Sequence, residues 1–251
     1  MSEIVWKDLV KFILTMYNSH HTDFILSPLR SILEEGVLAC KSVGDGIETY
    51  PLCEYIMQSL FLKMTGAQEQ KLKCICWDMA TVDYEYRSEF LNNRKGYSKL
   101  KEKNEVYKSL VDSIKVKEKT FDTGKEFDIN FISDVLKKTN DLYTNSHFPV
   151  WQSREYNLFV PGKYMNHSHF GKSNMIYTDA DFYEKVVYNH RNRCAHNTLS
   201  YQQNKPDLSE LSDPKYEQCN YFYRFTLLVI IDEIFMKLWR KYISLHSNTG
   251  I

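Results

Sequence analysis

Glycine and proline are scarce in this chain, nine and six among 251 residues, which argues against a backbone broken into many short, turn-linked elements. A net charge of one sign is also absent: 32 Lys and Arg balance 32 Asp and Glu. No global positive field therefore gathers polyanions, and any affinity for nucleic acid has to come from a local cluster. Long apolar runs are missing too. The most apolar stretch, residues 225–231, is bounded by Arg224 and Asp232 and is far too short to span a bilayer. Residues 1–17 carry Trp6, Val10, Ile13 and Tyr17 at helical spacing, but Glu3, Lys7, Asp8 and Lys11 interrupt them, so the apolar core of a secretory signal is lacking. The six cysteines form no dense framework and read as free thiols of a reducing compartment, which places the chain in the cytoplasm with no membrane partner.

What remains is a chain with 43% hydrophobic and 14% aromatic residues, enough for a packed core, patterned mostly at the 3.6-residue period. The expected fold class is all-α: one domain over residues 1–251, with N-terminal helices in 1–120, a helix plus an irregular insertion in 121–178, and two closing helices in 179–251. Helices are expected near residues 3–18, at 29–41 with Ser27-Pro28 as cap, at 52–64 stopped by Gly66, and from 68 through 91. Further helices are expected near 129–143, from a cap at Asp179 to about 201, and near 216–246. In the fourth helix Leu72, Ile75, Met79 and Val82 form an apolar stripe with Cys76 and Tyr86 beside it. Glu69, Lys71 and Arg87 punctuate that helix and are candidates to support a cleft. The lysine-rich stretch 93–120 reads as a solvated helix face plus loop, with a track for backbone phosphates as the functional alternative. Asp83 and Glu85, and Asp232 and Glu233, read as surface or capping acids.

Several patterns that resemble chemistry lack their partners. Gly171-Lys172-Ser173 has Asn166 where a phosphate loop needs glycine. His167 with His169, and Cys74 with Cys76, have no second pair at metal-site spacing, and no cofactor or metal is expected.

The run from Tyr188 to Asn197 is different. It holds Arg191, Asn192 and His196 in the order R-N-x-x-x-H. At about 100° per residue on a helix, Asn192 and His196 lie one turn apart on one face, and Arg191, about 140° from His196, curls back on its long stem. An imidazole titrating near pH ~6.5 supplies acid or base. A guanidinium binds two phosphate oxygens as charge builds on the phosphorus, and the amide of Asn192 orients His196 or the phosphate. His190 and Arg193 flank the three and are expected to add local positive charge.

This motif, late in the chain and followed by a polar connection and a long apolar helix, resembles that of the HEPN superfamily, small all-helical domains of which many are metal-independent RNases of toxin–antitoxin, anti-phage and CRISPR systems. The resemblance implies a HEPN-like bundle with Arg191, Asn192 and His196 as catalytic residues; the charges of His190, Arg193, Lys71 and Arg87 make them candidates to bind RNA or support the site. It also implies a homodimer that brings two motifs into one cleft, which answers the need for two proton-transfer groups, and RNA products ending in 2′,3′-cyclic phosphate. A toxin or abortive-infection effector held by a protein or RNA inhibitor is the implied setting. Where nucleotidylated members carry a modified tyrosine, two residues after the histidine, this chain has Thr198. The alternative is a noncatalytic RNA- or protein-binding HEPN module in a larger defence complex.

Overall fold

Residues 220–232 are apolar on every side of a helix apart from Asn220, Arg224, Thr226 and Asp232, and such a helix is stable in water only at the centre of a bundle. The computed structural model describes residues 21–44, 46–92, 95–176, 180–196 and 217–247. Its helices are α1 (Thr22–Leu26), α2 (Arg30–Ala39), α3 (Tyr50–Val82), α4 (Tyr84–Asn92), α5 (Leu100–Lys117), α6 (Ile129–Thr144), α7 (Asn189–His196) and α8 (Tyr221–Ser247), with short helical turns between them. The described residues contain no strand, only an isolated bridge between Phe170 and Ile176. The fold is all-α.

α8 runs through the middle, packed on α3, α5 and α6, and every residue from Asn220 to Asp232 is buried. No helix among the described residues is long and apolar enough to cross a membrane. The two charges that frame its apolar stretch are inside the molecule. Asp232, expected at the surface, is 2% exposed. It accepts from Lys71 Nζ at 2.7 Å and from the Leu29 backbone N–H at 2.7 Å. Burial pushes its carboxyl up to about 6, with Lys71 and the Leu29 N–H opposing. Lys71 also donates to Ser27 O. This clamp shapes the turn before α2, and Ser27 serves the preceding helix: its Oγ donates to Phe24 O at 2.7 Å, and α2 starts only at Arg30.

α3 is one helix of 33 residues where two were expected. Gly66 does not stop it. A mid-helix glycine costs about 1 kcal/mol against alanine, whereas Met57, Phe61 and Met64 before it and Leu72, Ile75, Cys76 and Met79 after it keep one buried face in phase. Val82, expected on that stripe, is exposed. The break comes at Asp83, which leaves helical geometry and accepts from the Tyr86 N–H at 3.0 Å to open α4. Arg87 folds back on the end of α3, donating to Ala80 O and Thr81 O at 2.7 and 2.9 Å. α2 crosses α3 closely at Gly36, where a Cβ would stand 2.6 Å from the Leu60 side chain.

Residues 144–176, expected to be irregular, form a packed layer of short turns: Phe148–Trp151, Ser153–Leu158, Pro161–Tyr164 and the 3₁₀ turn His167–His169. Phe148, Met165, Phe170 and Met175 anchor it in the core. Tyr156 and Phe159 set their rings on Phe222, with centroids 5.0 and 5.9 Å away. Aromatic and sulfur residues thus tie down a segment whose spacing matches no long helix. The layer turns sharply at Gly171, whose φ of 70° brings the backbone against Phe127, 2.4 Å from where a Cβ would lie. The expected helix at 3–18, the cap at Asp179 and the loop before α8 lie outside the described residues.

Candidate active site

α7 is the last part of a continuous helical run: an α-helical turn, Ala180–Tyr183, a π-helical turn, Glu184–Tyr188, and then Asn189–His196. The π turn widens the helix by a residue and so rotates everything after it relative to what precedes it. It is held from the core. Buried Arg224 of α8 donates Nε to Val186 O at 2.9 Å and lies over the Tyr221 ring, 5.2 Å from its centroid. Val186 and Val187 are buried, so the run is fixed on its inner side while Arg191, Asn192 and Arg193 remain half-buried on α7.

Arg191 and Asn192 meet. Arg191 Nη1 donates to Asn192 Oδ1 at 3.3 Å, and Nη2 reaches Glu69 Oε2 of α3 at 3.3 Å. The arginine side chain is 28% exposed and the glutamate 13%, so the pair sits where a phosphate can approach the guanidinium. Glu69 is one of the three charged residues singled out on that helix. The other two lie elsewhere: Lys71 is buried against Asp232, and Arg87 caps α3. The backbone of His196 ends α7. Its side chain, with Asn197 and Thr198, lies outside the described residues.

His190, expected to add positive charge, does not. It is packed between Phe61 and Tyr221, with centroids at 5.1 and 5.3 Å. Its Nε2 is 3.3 Å from Tyr221 Oη and 3.4 Å from Cys194 Sγ. Burial, with Arg224 and Arg193 nearby, holds it far below the usual imidazole range, so it is neutral at physiological pH. Tyr221 in turn donates to Glu54 Oε1 at 3.1 Å. The result is a hydrogen-bonded wedge that fixes α7 between α3 and α8. Arg193 keeps its charge nearby, felt by His190, Cys194 and Cys219.

Behind Arg191 lies a small cavity lined by Gln68, Glu69, Ser98, Lys103, Tyr183 and Arg191, among others. Lys103 is 1% exposed and donates to Gln68 Oε1 at 2.9 Å. Gln68 is itself fixed by donating Nε2 to Leu228 O at 3.1 Å. Burial pulls the Lys103 ammonium down to about 7, with Glu69, Glu102 and Asp232 opposing and Arg191 adding to the fall. Tyr183 is buried beside them, its hydroxyl pushed well up by burial and then by Glu69 and Glu184. Reading the stretch 93–120 as a solvated face missed Lys103. The signal was present: Lys103 falls in register with Leu100, Tyr107, Leu110 and Ile114, all buried on the inner face of α5.

Of the other patterns, His169 Nδ1 is 2.9 Å from Tyr164 O within its 3₁₀ turn. Cys76 is buried, its thiol pushed up by burial. No protein-family model, curated protein or solved structure matches this chain.

Proposed function

We propose that the chain is a HEPN-type endoribonuclease that cleaves RNA without a metal ion, by attack of the 2′-hydroxyl to leave a 2′,3′-cyclic phosphate, and that it acts as a homodimer in defence or growth arrest. The observation that carries this reading is the Glu69–Arg191–Asn192 chain of contacts on the motif helix. It presents a half-exposed guanidinium, oriented from one side by a carboxylate and from the other by an amide. In cleavage, Arg191 binds the non-bridging oxygens and gains strength as negative charge accumulates. His196 moves the proton of the 2′-hydroxyl or of the leaving 5′-oxygen, and the second motif of the dimer supplies the other transfer. Asn192 orients the guanidinium. His190, neutral and enclosed, is assigned no proton-transfer role.

The test is incubation of purified protein with total RNA in EDTA, comparing wild type with Arg191→Ala and His196→Ala and mapping fragment ends. The reading requires cyclic-phosphate ends that both substitutions abolish, a loss of about 100-fold or more for a group acting in the transition state. The other reading is the noncatalytic RNA- or protein-binding module. RNA retained by folded wild type without cleavage would select that reading.

A further inference from the structure

We infer that Lys103 is a positioning residue for Arg191, set behind Gln68 and Glu69 so that the state of its ammonium decides how firmly Glu69 holds the guanidinium. The inference rests on the reading of Arg191 as the phosphate-binding group, and it adds a residue and a pH dependence to that site.

The geometry carries it. Lys103 and Arg191 line the same small cavity, with Glu69 between them in charge. Lys103 brings three N–H donors to a place with 1% exposure, and among the described residues it has a single hydrogen-bond acceptor, Gln68 Oε1. A buried ammonium so thinly supported stays charged only by drawing on neighbouring anions. The groups facing it are Glu69 of α3, Glu102 of α5 and Asp232 of α8, which favour the charged form, Arg191 of α7, which opposes it, and the Tyr183 hydroxyl, held neutral by burial in the same cavity. Asp232 is committed to Lys71 at 2.7 Å, and Glu102 accepts from the Lys99 backbone N–H at 3.4 Å in the cap of α5. That leaves Glu69, whose carboxylate already serves Arg191 at 3.3 Å, as the shared anion.

The consequence is a competition with a definite sign. With Lys103 protonated, Glu69 is divided between two cations, Arg191 is held less tightly, and the site carries an extra positive charge. A phosphodiester then binds well. With Lys103 neutral, Glu69 belongs to Arg191 alone, and the guanidinium must leave a salt bridge to engage phosphate. By linkage, an arriving phosphate favours protonation of Lys103, so binding takes up a proton around neutral pH. The lysine never touches the reacting atoms; it acts through Glu69 and Arg191.

Two measurements test this. The first uses no RNA. In protein labelled at lysine Cε and arginine Nε, the Lys103 and Arg191 resonances are followed from about pH 5.5 to about pH 9. The Arg191 Nε signal is expected to move with the Lys103 titration. Glu69→Gln is expected to shift that titration to lower pH and Arg191→Ala to higher pH. The second measures binding of a 2′-O-methyl oligonucleotide. Affinity should fall about fivefold or more as pH rises through the Lys103 titration. It should stay at the low, high-pH level in Lys103→Met and be restored toward the low-pH level in Lys103→Arg. If Lys103→Met fails to fold, the wild type, Glu69→Gln and Arg191→Ala titrations still decide the matter. An Arg191 signal indifferent to the Lys103 titration, or a titration that neither variant moves, overturns the inference. A chain that shows the coupling but binds no oligonucleotide upholds it and counts against the RNA reading alone.

Discussion

Lys71 and Asp232 face each other at 2.7 Å with side chains 4% and 2% exposed, and Lys71 lies two residues along α3 from Glu69, which holds Arg191. A buried pair costs desolvation on both sides, and much of its apparent strength is the penalty of leaving one member alone. Lys71→Met is therefore expected to destabilise the fold by about 3–5 kcal/mol, and Lys71→Met with Asp232→Asn to regain most of that loss; urea unfolding of the two variants checks it. Lys103 adds a titration of opposite consequence. Its folded-state value near 7 lies below the 10.5 of a free lysine, so between those values the unfolded chain binds more protons and this group's contribution to stability rises with pH. Wild type should gain stability relative to Lys103→Met as pH is raised over that interval, read from paired melting curves. Neither buried role was evident from residue type. Asp232 looked like a boundary because it ends an apolar run, and Lys103 looked solvated because it has lysine neighbours. Only its register with Leu100 and Tyr107 marks it as an inward position.

Among elements, α3 and α7 position the site. The helical class, α6 and the central α8 were legible from periodicity; the cap of α6 comes from the structure, where the Asp128 side chain accepts from the Phe131 N–H at 2.9 Å. The continuity of α3 was not, because Gly66 carries the local signal of a stop while the two flanking stripes carry the signal of a single face. Gly66 is exposed, with nothing within 4 Å of where a Cβ would be. Gly66→Ala should accordingly stabilise the protein by about 0.5–1 kcal/mol, seen as a higher denaturation midpoint. The π turn at Glu184–Tyr188 is also unreadable from residue types, since it is fixed by what Arg224 and the buried valines demand of the backbone. Because the π turn holds one residue more than an α turn, deleting Lys185 is expected to restore ordinary α-helical winding with α7 still in register. Arg191 then stays beside Glu69, and both the helical circular dichroism signal and RNA cleavage should be retained.

For the whole molecule, the motif supplied the placement of Arg191 and Asn192 together on one helix, and Glu69 was singled out by its position among apolar residues. Their union across α3 and α7 needed the tertiary fold. If two motifs share one cleft and each supplies one proton transfer, refolding wild type with an excess of His196→Ala subunits should depress cleavage below that of the same wild type refolded alone, whereas separate monomers would keep the wild-type activity; the assay is product formation after joint refolding. The Arg224 anchor has a further consequence. Because Arg224 lies on a buried helix and grips the turn that aims α7, the described part of the run that carries the site, residues 180–196, is tied directly to the core. Heating should abolish the Arg191–Glu69 contact in the same cooperative transition that melts α8, so the site's readiness reports the integrity of the entire core.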